Sequence, residues 1–324
     1  MKKSKKTLLI AAGLAAVAGG AVAAYFATAN YLLKVALDRN QPKANSKAKN
    51  RLIGNDDFTK MLENMISAAG ELEKIPLETI EIEGHDGIKL VGHLYMPENP
   101  KRLIVAMHGW RSGWSQDFGI ISPFWQQNDC AVLYAEQRAQ GSSEGDYMGF
   151  GLLERYDCFE WVKWADNKTE GKLPIYMCGV SMGATTVLMA SGFTLPSSVK
   201  GIIADCGFTS PHAIWKHVAE DNLKIPYGLY SSVVNDMCKK RIQSKSDEYS
   251  CTEALKNCKV PVLFAHGTDD KFVPIEMTFE NYKACASPKK LFIVPGAAHG
   301  MSYFVDKDGY EKITLEFFKE YDNS

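Results

Sequence analysis

The residues best suited to covalent chemistry are a serine, an aspartate and a histidine, each placed just after an apolar run. Ser181 stands in the pentapeptide G-V-S-M-G, between the apolar runs 175–180 and 184–190. A serine in the pattern G-x-S-x-G between a strand and a helix is typical of a nucleophile elbow, a sharp turn that exposes one hydroxyl. Gly179 and Gly183 fit such a turn because a Cβ there would collide with nearby backbone.

Suitable partners follow later in the chain. Asp270 lies in H-G-T-D-D-K-F-V-P, residues 266–274, and His299 lies in P-G-A-A-H-G, residues 295–300. A serine hydroxyl is a poor nucleophile at neutral pH and needs a base within hydrogen-bonding reach. That base in turn needs a carboxylate to orient it. We therefore expect Ser181, Asp270 and His299 to converge.

With these three motifs in the order Ser, Asp, His, the chain resembles the α/β-hydrolase superfamily, in its serine-esterase and serine-aminopeptidase-like branch. The resemblance covers roughly residues 77–322. It implies an α/β fold with a mostly parallel eight-stranded sheet, flanked by helices and carrying a small helical lid. It also implies that Ser181 is the nucleophile, His299 the general base and then acid, and Asp270 the orienting acid, with no cofactor and no metal.

Two other aspartates compete for the acid role. In the pattern H-G-x-x-D-x-x-V-P the carboxylate is the fifth residue, which selects Asp270 over its neighbour Asp269. We assign Asp269 to the loop backbone, where aspartate commonly caps turns. Asp205 ends the apolar run 201–204 and stays open as a rival, because some hydrolases carry their acid after that strand.

An acyl-transfer site also needs donors for the oxyanion of the tetrahedral intermediate. The elbow provides the backbone N–H of Met182. By resemblance, the second donor is the N–H of Trp110, in the loop after the run 103–107. We name Trp114 and Phe208 as further candidates for the substrate pocket, although core packing explains either aromatic side chain as well.

The loop after the run 131–135 departs from the family pattern. In relatives it commonly has the form D-x-R-G-H-G-x-S, and here Gln140 stands where histidine is usual. Any role attached to that histidine is therefore in doubt. We interpret Arg138 in this loop as a residue that ties loops together.

Hydrophobic periodicity predicts the elements that position these residues. Alternating residues at 77–82 and 89–95 indicate antiparallel strands with one exposed face. Continuous apolar runs indicate buried strands, and longer periodic segments indicate helices. The buried strands are predicted at 103–107, 131–135, 175–180, 201–204, 260–267 and 290–294, and helices at 57–73, 150–167, 184–190, 275–285 and 310–321. About fifty residues between two of the strands, roughly 208–258, are predicted to form the lid.

The N-terminal segment suggests a membrane anchor. Residues 1–6 contain four lysines, and residues 7–33 contain no charged residue. About 20 apolar residues can span a bilayer. We divide the chain into an anchor or signal segment at 1–33, a basic polar linker at 34–56 and a hydrolase domain at 57–324. A cleaved signal peptide remains the alternative to an uncleaved transmembrane helix.

Charge and cysteine content limit the remaining choices. The formal net charge of −1 gives no global basic field for nucleic acid. The eight cysteines lack zinc-ligand spacing, and we expect mostly buried free thiols. A short N-terminus usually stays in the cytoplasm, and we therefore expect the catalytic domain on the other side of the membrane. The alternatives are a product secreted after cleavage and a domain that faces the cytoplasm.

The sequence thus predicts a membrane-anchored serine hydrolase, with a carboxylesterase favoured over a peptidase. A serine aminopeptidase would need an acidic group for the substrate amine, and Glu144 or Asp146 could supply it. A non-catalytic, membrane-tethered binding scaffold is the alternative from another class, because fold does not fix function. Dehalogenases and epoxide hydrolases are disfavoured because their elbow nucleophile is aspartate.

Overall fold

The computed structural model describes residue 20, residues 22–40 and residues 56–323, with the backbone alone for residues 56–62. Its centre is an eight-stranded sheet in the order β1-β2-β4-β3-β5-β6-β7-β8. The strands are β1 (Glu78–Glu83), β2 (Lys89–Tyr95), β3 (Arg102–Met107), β4 (Cys130–Ala135), β5 (Ile175–Val180), β6 (Val199–Asp205), β7 (Val262–Gly267) and β8 (Lys289–Val294). β2 pairs antiparallel with β1 and β4, and the remaining strands pair in parallel. The predicted mostly parallel eight-stranded sheet is confirmed.

The burial of the strands follows their sequence patterns. β3 and β4 are buried at every position, as their continuous apolar runs predict. In β1 only Ile80 is buried and the glutamates are exposed, because this edge strand has one face in solvent. The buried side chains form two main layers, one on each face of the sheet.

Helices cover both faces of the sheet. They are α1 (residues 22–37), α2 (Asp56–Glu73), α3 (Trp114–Phe118), α4 (Ser122–Gln127), α5 (Glu154–Lys168), α6 (Met182–Ala190), α7 (Pro211–His217), α8 (Tyr227–Ile242), α9 (Cys251–Leu255), α10 (Ile275–Ala284), α11 (Ser302–Val305) and α12 (Lys307–Tyr321). α7, a π-helical turn at Val218–Asn222, α8 and α9 lie between β6 and β7, where the sequence predicts the lid.

Helix α5 begins four residues later than the predicted start at residue 150. Phe150 and Gly151 have φ angles of 54° and 95°, which no right-handed helix contains. The Glu154 carboxylate accepts hydrogen bonds from the N–H groups of Gly149 (2.6 Å) and Gly151 (2.8 Å). This buried side chain stabilises the preceding turn and sets the first residue of the helix.

The predicted anchor falls mostly on residues outside those that the structure describes, since residues 1–19 and 21 are among them. Within the described residues, no helix is both long enough and apolar enough to cross a membrane. The later part of the predicted anchor belongs to α1, and α1 packs on the hydrolase domain through Ala29, Leu33 and Leu37. Most of the predicted linker, residues 41–55, also lies outside the described residues.

The cysteines, which all lie between residues 130 and 285, are buried free thiols in this described part of the chain. Helix α2 packs on the main domain. Its Glu73 carboxylate accepts a hydrogen bond from Ser115 Oγ at 2.6 Å, and a Cβ on Gly119 would lie 2.7 Å from the backbone of Ala68. Only glycine allows that close approach of α2 to the domain.

Candidate active site

A strained turn between β5 and α6 presents Ser181. The residue has φ 56° and ψ −118°, a region that non-glycine residues rarely occupy. A Cβ on Gly183 would lie 1.8 Å from the carbonyl oxygen of Met107, and one on Gly179 would lie 2.2 Å from the carbonyl oxygen of Gly183. Both glycines are therefore required by backbone contacts, and the turn has the geometry of a nucleophile elbow.

The structure brings Ser181, His299 and Asp270 together at the carboxyl end of the sheet. His299 Nε2 lies 2.8 Å from Ser181 Oγ, and His299 Nδ1 lies 2.7 Å from Asp270 Oδ2. The elbow and the loops after β7 and β8 thus place the three side chains in one hydrogen-bonded chain. An ionised carboxylate only accepts hydrogen bonds, so Nδ1 carries the proton and Nε2 faces the hydroxyl with its lone pair.

Several donors surround the Asp270 carboxylate. Its Oδ1 accepts hydrogen bonds from the N–H groups of Phe272 (2.9 Å) and Val273 (2.8 Å). His266 Nε2 lies 3.2 Å from Oδ2. Burial alone would raise the pKa of Asp270, but the hydrogen bonds from His266, His299 and Val273 outweigh it and hold the pKa well below its ordinary value. Asp270 is therefore ionised at neutral pH.

The two competing aspartates occupy other positions. Asp205 is buried, accepts a hydrogen bond from Ser302 Oγ at 2.8 Å, and has its pKa raised by burial. Asp269 is exposed; its carboxylate accepts from Thr268 Oγ1, and its own N–H donates to the carbonyl of Ala297. Among the described residues, Asp270 is the carboxylate hydrogen-bonded to the His299 ring.

The predicted oxyanion donors lie on either side of Ser181. Met182 is the first residue of α6, where a helix leaves its N–H groups without intrahelical partners. On the other side, a Cβ on Gly109 would lie 3.4 Å from Ser181 Cβ, so the backbone before Trp110 is in contact with the serine. In the described part of the chain, the Trp110 N–H donates to no backbone carbonyl. Both groups are thus available to an oxyanion.

Side-chain acceptors hold the backbone on both sides of Trp110, at Gly109 and at Arg111. The Gly109 N–H donates to Asp117 Oδ2 at 2.6 Å, and the Arg111 N–H donates to Gln140 Oε1 at 2.7 Å. Gln140, which replaces the histidine usual in the family, therefore holds the residue after the proposed donor. The sequence pattern marked this position as unusual but gave no indication of its partner.

Arg138 ties loops together, as expected. Its Nε and Nη2 atoms donate to the two carboxylate oxygens of Asp157, each at 2.6 Å. Its Nη1 and Nη2 atoms also contact Asp86, at 2.9 and 3.2 Å. Arg138 therefore belongs to a structural network with these two acids. Among the described residues, it has no hydrogen bond to Ser181.

Two groups of metal-ligand side chains lie close together, and each is accounted for by other contacts. Cys206 is near Asp270 and His299, but burial raises the pKa of the Cys206 thiol well above its ordinary value, which disfavours the thiolate that metals bind. The second group is His85, Asp86 and Asp157, whose two carboxylates are paired with Arg138.

An apolar cavity of about 130 Å³ lies beside the triad, between α1, the lid and the Trp110 loop. Trp110 belongs to its wall, and so does Phe272, whose ring centroid is 5.0 Å from that of His299. The lining residues are Leu32, Leu33, Val35, Ala36, Trp110, Phe150, Ile214, Trp215, Val218, Ala219, Leu223, Ile225, Tyr227, Tyr230, Val234 and Phe272. None of these described residues is charged.

The other two pocket candidates lie away from this cavity. Trp114 packs against His93 and Tyr134, with ring centroids 4.5 and 5.5 Å apart, in the apolar layer on the other face of the sheet. Phe208 is buried behind Phe150, at 5.9 Å between ring centroids, and does not line the cavity. Both aromatic side chains pack in the core, which is the alternative that the sequence left open.

The sequence analysis missed the contribution of α1 to the cavity. It assigned residues 1–33 to a membrane anchor or signal segment and gave the end of that segment no position on the domain. A signal was nevertheless present: Asn30, Lys34 and Asp38 recur every four residues and form a polar stripe at the end of the apolar segment. Such a stripe indicates a helix with one face on protein and one face in water.

Comparisons with known sequences point to hydrolases. Residues 147–324, more than half of the chain, match the sequence model of the prolyl oligopeptidase family. The uncharacterized protein YqkD of Bacillus subtilis (strain 168) is 25% identical over 238 residues, which cover 74% of this chain and 78% of that protein. The bifunctional esterase/perhydrolase DCH of Acinetobacter calcoaceticus is 46% identical over 50 residues, 15% of this chain and 18% of that protein.

Solved structures share the fold. The esterase Pf2001 of Pyrococcus furiosus has a TM-score of 0.62 at 22% identity, with 78% of this chain and 96% of that chain covered. The acylaminoacyl peptidase of Pyrococcus horikoshii has a TM-score of 0.57 at 17% identity, with 78% of this chain and 43% of that chain covered. At these identities the likeness concerns the α/β-hydrolase fold alone.

Proposed function

Since the chain belongs to the prolyl oligopeptidase family of serine hydrolases, we propose that it cleaves carboxylic ester bonds through a covalent acyl-enzyme. Ser181 is the nucleophile, His299 the general base and then the general acid, and Asp270 the residue that orients the imidazole. The observation that carries this proposal is the chain of two hydrogen bonds from Ser181 Oγ through His299 to Asp270.

In the acylation step, Ser181 Oγ forms a bond to the ester carbonyl carbon while its proton moves to His299 Nε2. The carbonyl oxygen becomes an oxyanion, which accepts hydrogen bonds from the N–H groups of Met182 and Trp110. The bond to the leaving alcohol then breaks, and His299 returns the proton to the alkoxide oxygen. Asp270 stabilises the transient imidazolium by remaining ionised.

Deacylation repeats these steps with water as the nucleophile. His299 takes a proton from water, the hydroxide adds to the acyl carbon, and Ser181 Oγ leaves with the proton from the imidazolium. The products are a carboxylic acid and the regenerated hydroxyl of Ser181. The strained elbow supports both steps because it keeps Oγ raised above the end of the sheet.

The apolar cavity favours an ester with an apolar acyl group. It opens beside Trp110, in the loop of residues 108–113 that we call the oxyanion loop, and beside Phe272, whose ring contacts that of His299. Its volume of about 130 Å³ is close to that of apolar cavities that accept a benzene-sized guest. We therefore infer a preference for acyl chains of about six carbons or fewer.

A peptidase is the competing assignment, because the family name and the acylaminoacyl peptidase fold both allow it. An aminopeptidase needs a negative charge near the substrate amine. Of the two acids that the sequence offered, Glu144 accepts a hydrogen bond from the Lys89 N–H at 2.9 Å, and neither Glu144 nor Asp146 lines the described cavity. The uncharged cavity therefore favours the esterase.

The decisive experiment compares wild type, Ser181→Ala and Ser197→Ala with p-nitrophenyl hexanoate, alanine p-nitroanilide and a fluorophosphonate probe. Ser197 is exposed in a turn before β6 and serves as the matched control. We expect Ser181→Ala to lose about 10⁶-fold in kcat and all labelling, while Ser197→Ala keeps both. Wild type that cleaves the anilide faster than the ester would favour the peptidase, and wild type that is neither active nor labelled would indicate the non-catalytic scaffold.

We also propose that the N-terminal segment anchors the enzyme in a membrane, with the catalytic domain outside the cytoplasm. Residues 7–24 contain no charged residue, and a stretch of this length is within the range that can cross a bilayer. Tyr25 is hydrogen-bonded to the lid and Ala29 packs in the core, so we take the proposed span to end before Tyr25. The small residues around Ala23 and Ala29 keep signal-peptide cleavage as the alternative.

This second proposal is tested on the full chain. An anchored protein stays in the membrane fraction after a high-salt wash, and mass spectrometry finds its N-terminal segment intact. Protease added to intact cells should degrade the domain if it faces outward. A soluble product that begins between residues 24 and 30 would instead establish cleavage, and protection from protease would place the domain on the cytoplasmic side.

A further inference from the structure

Helix α1 is part of the folded domain along its inner face. Ala29, Leu33 and Leu37 recur every four residues and are 0%, 2% and 0% exposed. Residues at this spacing lie on one face of a helix. All three belong to the same apolar core as the lid and the helices above the sheet. The helix therefore continues the core of the domain.

The C-terminal end of α1 is held by the oxyanion loop. Trp110 Nε1 donates to the carbonyl of Ala36 at 2.9 Å, and Arg111 Nη2 donates to the carbonyls of Val35 (2.8 Å) and Asp38 (2.6 Å). The last carbonyls of a helix have no intrahelical partners, and a cation is favourable at this negative end. The same two consecutive residues thus satisfy the helix end and form the loop beside Ser181.

The opposite side of α1 is held by the lid. Tyr25 Oη donates to the carbonyl of Leu229 at 2.6 Å, and its ring stacks on Tyr230 with centroids 4.8 Å apart. Arg241 donates to Asn30 Oδ1 at 2.6 Å. Because α1 is bonded to both the lid and the oxyanion loop, it closes the space between them.

We propose that α1 is a wall of the acyl-binding cavity and that Leu32 and Ala36 determine the length of the acyl chain that the enzyme accepts. The inference rests on the proposed esterase function. Both residues line the cavity and, four residues apart, share one helix face. Leu32 is only partly buried and Ala36 is small, so larger side chains at these positions would enter the cavity.

The test uses full-length protein with Leu32→Trp, Ala36→Leu and the control Tyr31→Trp. Tyr31 is 39% exposed on the same helix and does not line the cavity. We expect kcat/KM for p-nitrophenyl hexanoate to fall about tenfold or more in Leu32→Trp and Ala36→Leu, mainly through KM, with the acetate ester changed less than about twofold. The control should keep the wild-type ratio of the two esters.

A further variant and a binding measurement distinguish a failure of the cavity-wall inference from a failure of the esterase proposal. Leu32→Ala should enlarge the cavity and raise the relative rate with longer acyl esters. In a Ser181→Ala background, 1-hexanol should raise the melting temperature, and Leu32→Trp should abolish that rise. If 1-hexanol binds in this way but wild type cleaves no ester, the esterase proposal fails and the cavity wall stands. Unchanged acyl-length profiles in all the Leu32 and Ala36 variants would overturn the inference.

Discussion

The buried imidazole of His108 accepts a hydrogen bond at Nε2 from the backbone N–H of Gln137, 3.1 Å away. Its Nδ1 lies 2.8 Å from the carbonyl of Gly109 and donates to it. A proton on Nε2 would remove the acceptor that the Gln137 N–H requires. The ring is therefore neutral, in the Nδ1–H form, directly beneath the loop that carries Trp110.

This arrangement predicts a loss of stability in mild acid. Burial lowers the pKa of His108, while in the unfolded chain an ordinary histidine titrates near 6.5. Below about pH 6.5 the unfolded state binds a proton that the folded state does not, so the free energy of unfolding falls by up to about 1.4 kcal/mol per pH unit. Above that pH this histidine adds no pH dependence.

Urea unfolding between pH 5 and pH 8 measures the effect. His108→Gln should lower the free energy of unfolding at pH 8. Below pH 6.5, however, its free energy of unfolding should decline less steeply than that of wild type, by a slope that corresponds to at most one proton. His217→Gln is the control, because that ring is partly exposed and lies beside the exposed Asp221, outside the loop that carries Trp110. Parallel stability curves for wild type and His108→Gln would show that His108 is not the titrating group.

The assignment of the acid gives a second prediction. Asp270→Asn keeps the size of the side chain but stabilises the wrong tautomer of His299, and an equivalent change in another triad enzyme costs about 10⁴ in kcat. Asp205→Asn is the matched control, since Asp205 bonds Ser302. We expect kcat for p-nitrophenyl hexanoate to fall about 10⁴-fold in Asp270→Asn and by less than about tenfold in Asp205→Asn. The reverse order would make Asp205 the orienting acid.

The difference between these two aspartates indicates what a single sequence can establish. The register of H-G-x-x-D-x-x-V-P selects Asp270 because the loop is short and its geometry is local. The elbow is predictable for the same reason, since Gly179 and Gly183 are required by contacts within one turn. The positions of the buried strands follow from the continuous apolar runs, whereas the mostly parallel sheet was implied by the resemblance to α/β-hydrolases.

Long-range packing was not predictable in this way. Helix α1 lies against the lid and the oxyanion loop, about 70 or more residues away in sequence, and an apolar segment carries no information about which surface it covers. The sequence also left Trp114 open between the pocket and the core, and only the packing of α3, which turns the Trp114 ring toward Tyr134 on the other face of the sheet, distinguishes the two.

A third prediction concerns the elbow glycine. Gly183→Ala places a Cβ 1.8 Å from the carbonyl oxygen of Met107, a rigid atom of β3. Because the backbone of a central strand cannot move away, we expect insoluble or grossly destabilised protein. Gly228→Ala is the control: it lies in α8 with nothing within 4 Å, and alanine there should leave stability unchanged or raise it by up to about 1 kcal/mol. Soluble yield and melting temperature distinguish the two, and a Gly183→Ala protein that melts like wild type would contradict the elbow geometry.

The last prediction concerns the Arg138 network. Asp157 has a side chain 1% exposed and depends on the bidentate contact with Arg138, whereas Asp86 is 40% exposed and can be solvated. Removing the guanidinium in Arg138→Met leaves the Asp157 charge buried without its partner, which costs about 3–5 kcal/mol. Asp86→Asn should lower the free energy of unfolding far less, because Arg138 keeps Asp157 as its partner and water can replace the exposed carboxylate of Asp86.

Lys172→Met supplies the control for the loss of a cation, since its ion pair with Glu170 is exposed and such pairs contribute about 1 kcal/mol or less. Urea unfolding of the three variants should therefore give Arg138→Met alone a large loss. The double variant Arg138→Met/Asp157→Leu removes both buried charges and should recover part of that loss, because the penalty comes from the unpaired carboxylate. No recovery in the double variant, with Arg138→Met still strongly destabilised, would mean that Arg138 stabilises the domain through packing.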